Sequence, residues 1–341
     1  MQLKFALEKL LNHQDLSREE MKWVMQQLMT GAATDAQIGA ILAALRMKSE
    51  SVDEMTAAVE VMRDLATAVA IGDKTHLVDT CGTGGDGANT FNISTASAFV
   101  VAAAGATVAK HGNRSFSSKS GSADVLEAAG VNLNLNAQQV GECIEQLQIG
   151  FLFAPAHHSA MKHVIAARKE MGVRTLFNML GPLTNPAGAP AQVIGVFNKA
   201  LAPVFAEVLK NLGSKHVMVV AAEDGLDEIS VASKTHVSEL RDGQIYHWSI
   251  DPNDYGMEYA DLRDLSVDSA QQSLTIIQHV FANQAGAARD IVCLNAGASI
   301  YVAGIAESYA AGVELARKVI ADGLASAKLN AFIAKTQSFA N

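Results

Sequence analysis

Positions 79 to 124 gather bare backbone, small hydroxyls and cations in a short stretch of chain. They read Asp79-Thr-Cys-Gly-Thr-Gly-Gly-Asp86, Asn92-Ile-Ser-Thr95, Lys110-His-Gly-Asn-Arg114 and Ser120-Gly-Ser-Ala-Asp124. The run Gly82-Thr-Gly-Gly-Asp-Gly87 matches the spacing G-x-G-x-x-G. A dinucleotide site needs an acidic residue about 20 positions further on for the ribose hydroxyls. Here the next apolar run ends in Lys110-His111, the wrong charge for that role. A P-loop needs Lys-Ser or Lys-Thr directly after the glycines, and none follows. What remains is a strand, a glycine loop and a helix opened by Asn92, Ser94 and Thr95 and running to about residue 104. A helix start presents unpaired N–H groups and the positive end of its dipole, which suits an anion. The plainer alternative is a tight turn with Asn92 or Ser94 only capping the helix.

The loop 110–114 strengthens the anion reading. Lys110 and Arg114 bring charge, and an arginine fork can hold phosphate through two parallel hydrogen bonds. Gly112 allows close backbone approach, and Ser115, Ser117, Ser118, Ser120 and Ser122 add neutral donors. A merely solvated basic loop would not explain so few acids beside a glycine-rich one. Two such loops suggest a doubly phosphorylated small molecule.

An acidic run, Glu223-Asp-Gly-Leu-Asp-Glu228, follows the apolar segment 217–222. Alone it reads as a solvated turn. Beside two phosphate loops it reads better as a magnesium site, because Mg2+ takes one or two carboxylates and completes its shell with water and substrate phosphate oxygens. His157, His158 and His163 lack the i, i+4 spacing of a helical zinc site. Arg168 on a presumed helix fits two readings equally: a bidentate carboxylate reader, or a surface partner of Glu170.

The elements that must position these groups are legible from periodicity. Over the first 70 residues, Ser17-Arg-Glu-Glu20, Thr34-Asp-Ala-Gln37 and Ser51-Val-Asp-Glu54 are capping-box patterns. Met21, Val24, Met25, Leu28 and Met29 follow helical spacing, as do Ile38, Ile41, Leu42 and Leu45, then Met55, Val59 and Met62. The methionine stripe is core packing. After Gly72 short apolar runs at 76–79, 107–109, 150–153, 193–197 and 217–222 alternate with helix-length segments. Runs with little alternation belong to strands buried on both faces, hence to a parallel sheet wrapped by helices. Ligands of such sheets sit beyond the carboxyl ends of the strands, where every motif above falls. The expected architecture is α/β: a small all-α helical domain, 1–70, joined by helices near 160–185, and a large α/β domain, 73–341, around a central, mostly parallel sheet.

With 341 residues, 49% of them hydrophobic and 18% charged, the chain suits a globular protein of two domains. A formal net charge of −9 argues against a broad basic face for nucleic acid. The scattered Cys81, Cys143 and Cys293 give neither a disulfide framework nor a zinc spacing, so a reducing cytoplasm is expected. The N-terminus has no signal-peptide layout, and no apolar run is long enough to span a membrane.

The motifs together resemble the anthranilate phosphoribosyltransferase family, over nearly the whole chain. The carriers are 82–86, 92–95, 110–114 with Ser117, Ser118 and 121–124, the run Arg174-Thr-Leu-Phe-Asn-Met-Leu-Gly-Pro-Leu-Thr-Asn-Pro186, Gly225-Leu-Asp-Glu-Ile229 and 295–304. Phe116 stands where a smaller residue is expected. The resemblance implies transfer of the phosphoribosyl group of 5-phosphoribosyl 1-pyrophosphate to the amine of anthranilate, in tryptophan biosynthesis. It also implies a homodimer formed through the helical domain. By the family pattern Gly82, Gly85, Asp86, Thr90, Asn92, Ser94, Thr95, Lys110 and Ser122 contact the phosphoribosyl substrate, with 111–114, Ser117 and Ser118 beside them. Ser94, Asp227 and Glu228 hold magnesium; Gly82, Asn113 and Arg168 meet anthranilate, with His111 nearby. Lys110 and His111 are the implied catalytic groups, without a strong general base. A pyrimidine nucleoside phosphorylase of the same fold would carry a Lys-x-Ser-x-Arg loop, where this chain has His111 and Asn113. A nucleic-acid-binding relative would show a basic surface and degenerate loops.

Overall fold

A computed structural model describes residues 2–115 and 119–340. Four helices open the chain: α1 (Leu3–Leu11), α2 (Arg18–Met29), α3 (Asp35–Lys48) and α4 (Val52–Asp64). All three expected capping boxes form, with Ser17, Thr34 and Ser51 each accepting from the backbone N–H three residues on. That satisfies donors a helix start otherwise leaves orphaned. The methionine stripe is core: Met21 and Met25 are fully buried, and the cluster takes in Ile41, Leu42, Met55 and Val59. Val164, Ala167, Leu176, Phe177, Leu180 and Leu183 from the 160–185 stretch pack into the same cluster.

The rest of the chain builds one seven-stranded sheet. Its strands are β1 (Leu77–Gly82), β2 (Thr107–Gly112), β3 (Ile149–Phe153), β4 (Ala191–Gly195), β5 (His216–Ala222), β6 (Thr235–Arg241) and β7 (Gln244–Ile250). The spatial order is β3-β2-β1-β4-β5-β6-β7. The pairings from β3 to β5 are parallel, and β6 and β7 add antiparallel. The five apolar runs expected as strands are β1 to β5. β1 and β2 are joined by α5 (Ile93–Ala103), while the chain returns to pair β4 on the other side of β1. This reversal is a topological switch point, where the strand ends splay and leave a crevice. After β2 come α6 (Ser122–Ala128) and α7 (Ala137–Leu147); after β3 come α8 (Ala154–His157), α9 (Ile165–Met171) and α10 (Phe177–Leu180). α11 (Leu201–Asn211) follows β4, and α12 (Ala270–Phe281), α13 (Ala287–Val302), α14 (Tyr309–Ala321) and α15 (Leu324–Gln337) close the fold. The β6–β7 hairpin turns on Asp242 and Gly243, both at positive φ (52° and 72°), as a two-residue turn of that hand requires. Among the described residues no helix is long and apolar enough to cross a membrane.

Candidate active site

The crevice lies at the carboxyl ends of β1, β4 and β5. Gly82 at the end of β1 pairs in register with Gly195 at the end of β4. Both positions face the segment after β5. A Cβ on Gly195 would run into the main-chain carbonyl of Asp227, and one on Gly82 into the Asp227 carboxylate. The two glycines therefore let the acidic turn fold in over the sheet. Asn295, inside the apolar α13, holds that turn: its side chain accepts from Ile229 N–H and donates to Ile229 O, each at 2.9 Å.

Of the four acids in the turn, two face outward. Glu223 pairs with His236 at 3.3 Å, and Asp224 accepts from Ser230 Oγ at 2.6 Å. Asp227 and Glu228 turn inward. Asp227 Oδ2 accepts the Gly84 N–H at 2.6 Å, and Glu228 Oε1 accepts the Ser94 N–H at 3.2 Å. Burial, then the charges of Asp86 and Glu228, push the Asp227 carboxyl well above the usual range. Burial also pushes Glu228 up to about 7, against the pull of Lys110 and the Ser94 N–H. Two desolvated carboxylates that repel each other, beside the Ser94 hydroxyl, are the donor set a hard cation relieves. The oxygens number too few for a closed all-protein cage, and no group of three acidic, His or Cys side chains forms a metal site among the described residues. That matches an ion whose remaining ligands are water and phosphate.

Lys110 is 3% exposed at the end of β2. Its ammonium donates to Thr80 O at 2.6 Å and Ser94 Oγ at 3.2 Å. Burial lowers its pKa, while Asp79 and Glu228 help hold the charge. Asp79, fully buried, accepts the His111 N–H at 3.0 Å and so fixes the loop that follows. Thr83 Oγ1 and Thr95 Oγ1 are buried without a hydrogen-bond partner. Unpaired buried hydroxyls are costly unless a ligand meets them.

The glycine loop holds Gly84, Gly85 and Gly87 at positive φ (68°, 83° and 76°), a conformation that side chains disfavour. Asp86 accepts from Ala88 N–H within the loop, and Thr90 forms a bridge with Ser266. α5 begins as expected, but Asn92 does not cap it. Its side chain instead accepts from Ser120 Oγ (2.8 Å) and Ser273 Oγ (2.7 Å) and donates to Ser120 O (3.1 Å). Asn92 thus ties the helix start to the loop that follows β2 and to α12. Gly112 abuts Ser122 and Phe151 with no room for a side chain. Ser122 Oγ donates to Asn113 O at 3.2 Å.

Arg114 is turned to other work. Its guanidinium meets Glu127 at 2.8 and 3.0 Å and Asp124 at 3.2 Å, both on α6. The loop is poor in acids, but the helix after it supplies them. Ser117 and Ser118, with Phe116, lie outside the described residues.

The residues expected to meet the acceptor are His111, Asn113 and Arg168. His111 Nδ1 lies 3.2 Å from Gly181 O, which makes it the protonated nitrogen and leaves Nε2, buried and unpartnered, as an acceptor. Burial and the neighbouring His158 ring, 5.1 Å away, push the His111 pKa down to about 3. His158 is pushed down to about 4 by burial and His157. Arg168, on α9, lies with its guanidinium 5.2 Å from the Phe177 ring centre. Burial alone lowers its pKa; no acid acts on it, so the surface pair with Glu170 does not form. Asn295, Gly195 and His158 were not singled out for this site by sequence reasoning. An asparagine within an apolar helix was the signal for the first; the other two have none.

The chain matches the helical bundle domain of the glycosyl transferase family over residues 4–66 and that family's a/b domain over residues 74–326. An anthranilate phosphoribosyltransferase from Hydrogenovibrio crunogenus is 66% identical over 340 residues, covering 100% of both chains. The crystal structure of the anthranilate phosphoribosyltransferase from Thermus thermophilus has a TM-score of 0.92 at 40% identity, over 97% of this chain and 99% of that one. The Saccharomyces cerevisiae enzyme, solved in complex with PRPP and Mg, has a TM-score of 0.88 at 26% identity, over 98% of each chain.

Proposed function

The chain belongs to the anthranilate phosphoribosyltransferase family, and from that premise we propose that the crevice over β1, β4 and β5 is where it works. It transfers the phosphoribosyl group of phosphoribosyl pyrophosphate to the amine of anthranilate, releasing pyrophosphate. The observation that carries this reading is the convergence of a buried cation, a buried and a partly buried carboxylate, and a bare glycine loop in a single crevice. The anomeric carbon loses pyrophosphate and gains oxocarbenium-like charge, so the reaction needs leaving-group neutralisation more than a nucleophilic side chain. Lys110, desolvated and held by Thr80 O and Ser94 Oγ, supports the charge that grows on the leaving group. Mg2+, held by Ser94, Asp227 and Glu228, would neutralise the pyrophosphate. Gly82, Gly85, Asp86, Thr90, Asn92, Thr95 and Ser122 shape the donor pocket and keep the ribose in line with the amine. Arg168 reads the anthranilate carboxylate. His111 accepts a hydrogen bond at Nε2 and orients the acceptor beside Asn113; with its pKa near 3 it is too weak a base to carry a proton away at neutral pH. The amine of anthranilate is itself weakly basic and attacks without prior deprotonation.

The working unit we propose is a cytoplasmic homodimer of chains that each divide into a helical domain, 1–70 with helices from 160–185, and an α/β domain, 73–341. Exposed Phe5 and Leu11 on α1, Met47 on α3 and Ile165 on α9 support the dimer, since α3 packs against both other helices. Three buried free cysteines support the reducing compartment. The test is the loss of anthranilate fluorescence on adding phosphoribosyl pyrophosphate with Mg2+, run beside a pyrimidine nucleoside with phosphate. Turnover of the nucleoside, with anthranilate untouched, would overturn the reading.

A further inference from the structure

Arg174 has no role in the chemistry above, yet it grips the glycine loop. Its Nη2 donates to Gly85 O at 2.7 Å, and its guanidinium carbon sits 4.6 Å from the centre of the Phe197 ring, two residues past β4. Its own carbonyl accepts from Arg46 Nη1, in the last turn of α3, at 2.5 Å. A side chain on Gly85 would overlap the guanidinium, so this glycine also provides the landing place for Arg174. The loop ends are pinned elsewhere: Thr83 N–H to Gly195 O at 2.9 Å, Gly84 N–H to Asp227, and Phe91 N–H to Leu265 O at 2.9 Å. Among the described residues, the main chain of 85–88 receives one hydrogen bond from outside the loop, the one from Arg174.

We propose that Arg174 is a positioning residue, a strap that holds the apex of the glycine loop in its donor-receiving shape. The proposal rests on the reading of that loop as the phosphoribosyl pyrophosphate site. Three glycines at positive φ leave the apex many conformations once untied, and a ligand must then supply the ordering. Arg174 lies on the same crossover that carries Arg168, three residues past α9, and α9 packs on α3. The strap therefore ties the donor loop to the segment that reads the acceptor. Phe197 keeps the guanidinium plane in place, a service a lysine cannot fully replace.

The test uses full-length Arg174→Ala and Arg174→Lys. Loss of a charged donor to a carbonyl should raise the KM for phosphoribosyl pyrophosphate about tenfold. The kcat at saturating donor should stay within about twofold of wild type, because the bound donor orders the loop. Amide hydrogen exchange in 83–89, measured without substrates, should speed up in Arg174→Ala, with Arg174→Lys intermediate on both readouts. An unchanged donor KM with unchanged exchange overturns the proposal. So does a fall in kcat with both KM values moving together, which would mark a merely structural role. If wild type itself fails to consume anthranilate with this donor, the assignment of the loop to that donor falls, while the exchange measurement still decides whether the strap exists.

Discussion

Replacing Arg168 by Ala isolates recognition of the acceptor carboxylate. The guanidinium is half-buried over Phe177, its pKa held down by burial with no acid to compensate. The fold has already desolvated this cation, so an arriving carboxylate gains a charge-assisted, bidentate pair with little further desolvation of the protein. Net hydrogen bonds to charged groups contribute about 1.5–3 kcal/mol. At 1.4 kcal/mol per tenfold, the variant should raise the KM for anthranilate by about 10- to 150-fold. The KM for phosphoribosyl pyrophosphate should move less than about twofold. Arg168→Lys keeps the charge but loses the fork and the ring contact, and should fall between. The assay is initial-rate anthranilate fluorescence at saturating donor, repeated with anthranilamide followed by product chromatography. Wild type should favour the carboxylate, and Arg168→Ala should lose most of that preference. The variant should melt no lower than wild type, because no intrachain ion pair is removed. If it keeps wild-type discrimination between acid and amide, the carboxylate is read elsewhere and the reasoning fails.

Lys110→Met should weaken phosphoribosyl pyrophosphate far more than anthranilate and cut kcat/KM for the donor by about 10²–10³-fold, since the buried charge proposed to face the leaving group is lost; equal weakening of both substrates in steady-state kinetics would contradict it. Asp227→Asn combined with Glu228→Gln should lower turnover in saturating Mg2+ by at least about 10²-fold with no loss of thermal stability, because two carboxylates burdened by burial are neutralised; full activity of that variant in chelator would refute the cation site. His111 and His158 are held neutral, at about 3 and about 4, against about 6.5 in the unfolded chain, so acidification protonates the unfolded state first and each removes about 2 kcal/mol of stability between pH 7.5 and 5. Glu228 and Asp227, raised in the fold, act with the opposite sign as pH falls, so the histidine contribution is read as a difference. Denaturant titrations should show His158→Asn losing about 2 kcal/mol less than wild type over that range, and equal losses would refute it.

Local chemistry made much of this molecule readable from the sequence. Ser17, Thr34 and Ser51 announced three helix starts because a capping box closes within four residues. The strands β1 to β5 stood out because burial on both faces demands unbroken apolar runs. The glycine loop and the acidic turn were visible for the same reason, each being a contiguous segment. What escaped were long-range pairings. Gly195 and Asp227 meet because strands 4 and 5 are neighbours, which spacing along the chain does not reveal. Asn92 has the residue type of a cap, yet Ser120 and Ser273 compete for its side chain from 28 and 181 residues away. Arg114 was read within its loop, whereas its acids stand 10 and 13 residues further on, along α6. The antiparallel β6–β7 pair had a usable signal in Asp242-Gly243, a dipeptide suited to two successive positive φ angles.

On the proposed function, this crevice couples departure of pyrophosphate to attack by the anthranilate amine. That coupling is tested most directly by measuring pyrophosphate release and anthranilate loss in one reaction with Mg2+. Equal amounts of both are expected, and neither when one substrate is omitted. Pyrophosphate released at the same rate without anthranilate would contradict it.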